Sequence, residues 1–218
     1  MNWDLGWPYD GSTVLTMRVL TAVYDLAVSP VSYDSLKYLA SAASIQRASG
    51  CDHMHVVFVP ADTETGFRID HKPTTTENKV WRLHNLLVPL CRLYGASYSV
   101  LPERTEITGA EYIWPEDWSL TNSPSAYWFP KVRRVIEQHG LAPMQVDEQA
   151  RQFVEAWAGK DYVTITLRQT YHEPYNSDRA AWAKIMNWLA ERHVRVIWVP
   201  DTEHAIESTS LGSAAALN

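Results

Sequence analysis

The sequence predicts an α/β fold made of two Rossmann-like βαβ halves, the C-terminal one incomplete. Three observations lead there. An apolar β-branched run, a helical pattern and a second apolar run follow one another between residues 20 and 59. The same succession restarts after Gly140 and Pro143. The chain has 218 residues, 46% of them hydrophobic and 20% charged, enough for one large or two small packed domains.

Taken in order, VLTMRVLTAVYDLAV (14–28) suits a buried strand around Leu20–Val28. Residues 33–48 place Leu36, Leu39, Ala40 and Ala43 at helical spacing, and Gly50 ends that segment. HMHVVFVPA (53–61) is a second strand ending in Pro, so the first unit reads as a parallel βαβ crossover. Thr74 and Glu77 have the spacing of a capping box. Val80, Leu83, Leu87, Leu90 and Tyr94 then share a helix face, with Pro89 expected to kink or shorten it. SYSVL (97–101) reads as a strand.

Residues 102–130 hold four prolines among Trp114, Trp118, Tyr127 and Trp128. They read as an irregular connecting or lid segment, or as short helices packed by aromatics. Val146–Ala158 is a helix with Val146, Ala150, Phe153, Val154 and Trp157 on one side. DYVTITL (161–167) is a strand, Asp178–Arg192 a helix with Trp182, Ile185, Met186 and Leu189 on one face, and VRVIWVP (194–200) a strand. A boundary is placed between 142 and 143. The closing SLGSAAALN resembles the start of a helix with nothing after it, and two strands make a thin sheet, so a fragment of a longer chain is expected.

Charge and composition narrow the function. The net charge of −6 argues against nucleic-acid binding through bulk charge and against polybasic membrane attachment. No apolar run approaches the ~18 residues of a membrane span. The opening MNWDLGWPYD lacks the basic start of a signal peptide. Two cysteines are too few for a disulfide scaffold, so a reduced, cytoplasmic setting is expected. Ten Trp and eleven Tyr fit packing, or stacking against sugar rings.

Open α/β sheets bind ligands beyond the carboxyl ends of their strands. Asp25, after the first strand, is the candidate general base, or else a turn carboxylate. Arg168 ends the strand at 161–167. The polar loop behind it carries Tyr175, Asn176 and Ser177, and the last two are placed to cap the helix beginning at Asp178. A strand-end Arg beside a helix N-terminus can cradle a diphosphate. The alternative pairs Arg168 with Asp201 or Glu203 as a structural ion pair. Arg82 and His84 face either a cleft or solvent. Cys51, His53 and His55 cluster at the amino end of a strand, the wrong end for an α/β active site, and no metal site is assigned. There is no G-x-G-x-x-G, Walker A, G-x-S-x-G, zinc-spaced Cys pair or Asp-x-Asp.

The stretch VTITLRQTYHEPYNSDRAAWAKIMNWLAERHVRVIWVPDTE (163–203) resembles the donor-binding half of GT-B-type glycosyltransferases, in its order most similar to the fucosyltransferase-like branch. The family's His-x-Arg-Arg pattern is replaced here by Thr166-Leu167-Arg168-Gln169. The resemblance implies that Arg168 holds the diphosphate of a nucleotide sugar. Tyr175, Asn176 and Ser177 would then line the donor pocket, and Asp201 would lie near the nucleotide. Residues 1–142 would be the acceptor-side domain and 143–218 the donor side. The implied activity is metal-independent transfer of a hexosyl or deoxyhexosyl group to a carbohydrate or other hydroxyl acceptor, with no cofactor. The rival readings are a non-catalytic nucleotide- or sugar-binding protein of the same fold, and an assembly protein whose interface is 102–130.

Overall fold

A computed structural model of the chain describes residues 17–70, 74–124, 129–159, 161–169, 176–199, 201 and 215–216. The chain divides into two compact units, Met1–Gln145 and Val146–Asn218.

The first unit is an α/β layer structure. Strand β1 (Val19–Asp25) leads into helix α1 (Asp34–Ser49), which returns to strand β2 (His53–Val59) parallel to β1. Gly50 closes α1 in the left-handed conformation that a glycine adopts without a steric penalty. Helix α2 (Thr76–Arg82) starts one residue later than the capping box predicts. Its cap is Thr75, whose hydroxyl accepts from the Asn78 N–H at 3.2 Å. Pro89 does not end the helix. A π-helical turn (Leu83–Leu87) precedes it, and α3 (Val88–Arg92) carries on. The wide turn relieves the clash between a proline ring and the preceding carbonyls. Strand β3 (Ser97–Val100) follows. The irregular segment contributes one short strand, β4 (Tyr112–Trp114), and α4 (Phe129–His139) follows.

The four strands are all parallel, in the order β3-β2-β1-β4. Moving outward through β2 and β3 and then crossing to the far side of β1 puts a topological switch between β1 and β4. Period-two alternation sorts the side chains of the sheet. Leu20, Ala22, Tyr24, Met54, Val56 and Phe58 meet α1, the 76–92 helix and α4 in the main core. Tyr24 packs edge-on to both Tyr38 and Phe58. The opposite face has no helix among the described residues. Its carboxyl half, Val23, Val57 and Val59, is covered by Trp118, Leu101, Ile107 and Leu120 from the connecting segment.

In the second unit, α5 (Glu148–Ala158) is capped by Asp147, whose carboxylate accepts from Gln149 and Ala150. Its predicted apolar side stays largely outside the core: Phe153 is 61% and Val146 70% exposed, and Ala158 alone is buried. Strands β5 (Tyr162–Thr166) and β6 (Arg195–Val199) are parallel and joined through α6 (Arg179–Ala190). Ile165, Leu167, Met186, Val196 and Trp198 form a separate small core. The chain end differs from expectation. Ala215–Ala216 is not a helix start but a third strand, β7, parallel to β6, so the sheet is one strand wider than predicted.

Phe58 is buried with its ring edge-on to Tyr24, so Phe58→Ala leaves a cavity the layers cannot close. Denaturant unfolding of the first unit is expected to show a loss of about 3–5 kcal/mol.

Candidate functional site

Each of the two sheets has its own carboxyl edge. On the first, Asp25 ends β1 with 2% of its surface exposed. It lies on the face of Val23, where the sheet meets the connecting segment rather than the helices. Five donors converge on its carboxylate. Oδ1 accepts from the Ala27 N–H at 2.8 Å and from Arg104 Nη1 at 2.7 Å. Oδ2 accepts from Arg104 Nη2 at 2.8 Å, Trp118 Nε1 at 3.0 Å and Ser123 Oγ at 2.6 Å. Arg104 also donates to the carbonyl of Pro60 at 3.1 Å.

Burial pushes the Asp25 carboxyl up. The bonds from Arg104, Ser123, Trp118 and Ala27 outweigh it and hold the group below the usual carboxylate value. Arg104 is raised in turn by its bond to Asp25. Two carboxylate oxygens offer about four lone-pair sites, and all are engaged here. Asp25 therefore corrects the general-base expectation. In this arrangement it has no lone pair to offer a substrate hydroxyl, and its place is that of an anchor at the β1–β4 switch.

The open space on this edge lies beside the anchor, beyond β2 and β3. It is a cavity of about 940 Å3. Leu26, Phe67, Leu83 and Leu120 are among its apolar lining, with His84 on its wall, so His84 faces a cavity as one of the two sequence readings held. Arg82 does not line it, and its Nε is buried without a partner. One rim is the loop 61–66. The Ala61 N–H donates to the Gly66 carbonyl at 2.8 Å, and the Gly66 N–H to that of Thr63 at 3.0 Å. Gly66 has φ +71°, a conformation L side chains rarely adopt, so this closure depends on glycine.

At the amino half of the same sheet face, His53 Nε2 and His55 Nδ1 both lie 2.7 Å from Ser97 Oγ. His55 Nε2 is 3.0 Å from Ser99 Oγ. Burial and the neighbouring His53 lower the His55 value. Cys51 is buried against Ser49. Among the described residues no group of three or more His, Cys, Asp or Glu could hold a metal ion.

On the second sheet, Arg168 and Gln169 follow β5 and Asp201 follows β6. The Arg168 N–H donates to Ser177 Oγ at 3.1 Å, and the Ser177 N–H returns a bond to the Arg168 carbonyl at 3.0 Å. The Gln169 N–H donates to Asp201 Oδ2 at 2.8 Å. The structure thus brings Arg168, Ser177 and Asp201 to one edge, with Asn176 beside Ser177. Tyr175 and Glu203 lie outside the described residues. The helix cap is not Asn176 or Ser177 but Asp178, which accepts from Ala180 at 2.9 Å and Ala181 at 3.0 Å. Two N–H groups of the first turn of α6 are thereby satisfied by Asp178, and the cations nearest this edge in sequence are Arg168 and Arg179. Gln169 Oε1 is buried and accepts no hydrogen bond.

Arg104, Trp118 and Ser123 escaped the sequence reading. Arg104 was within reach of it: Pro102–Arg104 follows β3, and the rule used for the other strand ends applies there too. Trp118 and Ser123 carry no such signal, because only folding brings them to residue 25.

No helix among the described residues is long and apolar enough to cross a membrane. No protein-family model, curated protein or solved structure matches the chain.

Because the folded Asp25 carboxyl titrates below its ordinary value of 3.8, its contribution is complete above that pH and is lost as pH falls below it. Urea unfolding at pH 7 and pH 3 is expected to show that loss. Asp25→Asn, which leaves Arg104 without its counter-charge, should cost about 3–5 kcal/mol at pH 7 and flatten the difference.

Proposed function

We propose that the chain belongs to a metal-independent glycosyltransferase of GT-B type. It would bind a nucleotide-diphosphate sugar at the carboxyl edge of the second unit and transfer the hexosyl or deoxyhexosyl group to a carbohydrate or other hydroxyl. The observation that carries the reading is the grouping of Arg168, Asn176, Ser177 and Asp201 at the ends of two parallel strands, where open α/β sheets bind ligands. The buried Gln169 Oε1 adds to it: an acceptor without a donor suits a ribose hydroxyl or a base amine. Two units, each with parallel strands joined through a helix, fit the two halves of such an enzyme.

In this mechanism the Arg168 fork binds the diphosphate and meets the charge that develops as the sugar departs. Asp178 already caps α6, so the guanidinium rather than the helix end does this. The acceptor proton goes to a group other than Asp25. The saturation of Asp25 also favours a second reading, a non-catalytic nucleotide- or sugar-binding protein.

Thermal unfolding with a panel of nucleoside diphosphates tests both readings. At a hundredfold excess over Kd, the matching diphosphate should stabilise the protein by about 2.7 kcal/mol. Arg168→Ala should weaken binding by about tenfold or more, as expected for a lost charge-assisted bidentate contact. Stabilisation together with release of free diphosphate from a nucleotide sugar supports transfer. Stabilisation without release supports the binding protein. No stabilisation by any diphosphate sinks transfer and nucleotide binding alike.

A further inference from the structure

The cavity beyond β2 and β3 has no part in the donor reading, and its chemistry points elsewhere. Its floor is apolar, built from Leu26, Phe67, Leu83, Val100 and Leu120. At about 940 Å3 it has the size of a small-molecule site rather than a packing defect. Its rim is fixed: the 61–66 loop is closed by backbone bonds, and Thr63 Oγ1 donates to the Phe67 carbonyl at 2.9 Å. Each of these features favours a compact ligand with an apolar or ring-shaped body.

The charge around the floor selects the ligand's other end. Three carboxylates line the cavity, Asp62, Glu64 and Glu103. None makes an ion pair within 4.0 Å among the described residues. The cation that lines the cavity, Arg104, is held bidentate on Asp25; it also feels the charge of Asp62, but one cation already matched by Asp25 leaves a lining with three further carboxylates net negative. An anionic ligand would meet net repulsion here, and a neutral one would leave the carboxylates to water. A protonated amine answers them while its scaffold covers the floor.

We propose that this cavity is a binding site for a small primary amine carried on an apolar or ring scaffold. The carboxylates alone would not make a site. The preformed cavity and its rigid rim make it, and the carboxylates decide the sign of the charge it accepts. The site uses the first unit only and stands whether or not the second unit binds a nucleotide.

Benzylammonium, benzyl alcohol and benzoate share one ring and differ in charge, and they serve as probes. Titrated into the full chain and followed by the backbone amide NMR shifts of residues 61–67, benzylammonium should bind at least about fivefold tighter than benzyl alcohol, and benzoate more weakly than either. Exposed charge pairs of this kind contribute about 1.5- to 5-fold each. The triple substitution Asp62→Asn, Glu64→Gln, Glu103→Gln should bring the amine to within about twofold of the alcohol and leave the alcohol unchanged. All three side chains are exposed, and an unchanged melting temperature verifies that the variant folds. The amine preference should also shrink as salt is raised from 20 to 500 mM. Equal binding of amine and alcohol, a preference that survives the substitution, shifts confined to other residues, or no binding by any probe would each overturn the proposal.

Discussion

Burying a carboxylate at the end of a parallel strand is costly unless its charge is met and its lone pairs are filled. Asp25 meets that condition with a guanidinium, an indole, a hydroxyl and a backbone amide. Each donor except Ala27 comes from residues 102–124, which contain little regular structure of their own. Asp25 therefore does for that segment what a helix does elsewhere in the fold: it gives the bare face of the sheet a cover with fixed coordinates. Trp118 is held by its indole N–H and so lays its ring over Val23 and Val59. Arg104 is held by its fork and bridges to Pro60, at the start of the loop that rims the cavity. The cavity wall and the covering layer share this one origin.

The same knot explains why ligand space in the first unit lies to one side of the topological switch. In a doubly wound sheet the crevice at the switch is the natural ligand position. Here the chain fills that place with its own arginine and tryptophan. Open volume lies beyond β2 and β3, where the connection is a helix with a wide π-helical turn and a short glycine-closed loop. At the carboxyl edge of the second sheet, the Gln169 N–H donates to Asp201 Oδ2. Ser177 ties back to Arg168 through two backbone-involving bonds, which fixes the strand end and leaves a buried amide oxygen without a donor.

Much of the fold was legible because its signals are local. The β-branched runs of β1, β2, β5 and β6, the helical spacing in α1 and α6, and Gly50 as a terminator all act within one element. β7 was missed because a two-residue strand exists only through its pairing with β6, and Ala215–Ala216 prefers a helix on propensity alone. The cap of α6 was misplaced by one or two residues because Asn, Ser and Asp in a row are all good caps, and the choice falls to whichever side chain has no better partner. Ser177 had Arg168. The stripe on α5 was legible as a stripe, but periodicity does not say whether anything lies against it. The place of Arg168 just after β5 was legible from the end of the β-branched run. The state of Asp25 was not, since its partners are 79, 93 and 98 residues away.

Those separations have a kinetic side. Loop-closure entropy must be spent before a distant contact returns anything, and contacts of high sequence separation form late. The βαβ unit of β1, α1 and β2 closes over short spans, whereas the Asp25 knot waits for β3 and β4 to find their places. A segment fastened mainly through one cluster also opens as a unit, below the free energy of global unfolding. Amide exchange in 102–124 would then run faster than in the strands beneath it, and a protease would meet this stretch before it met the core.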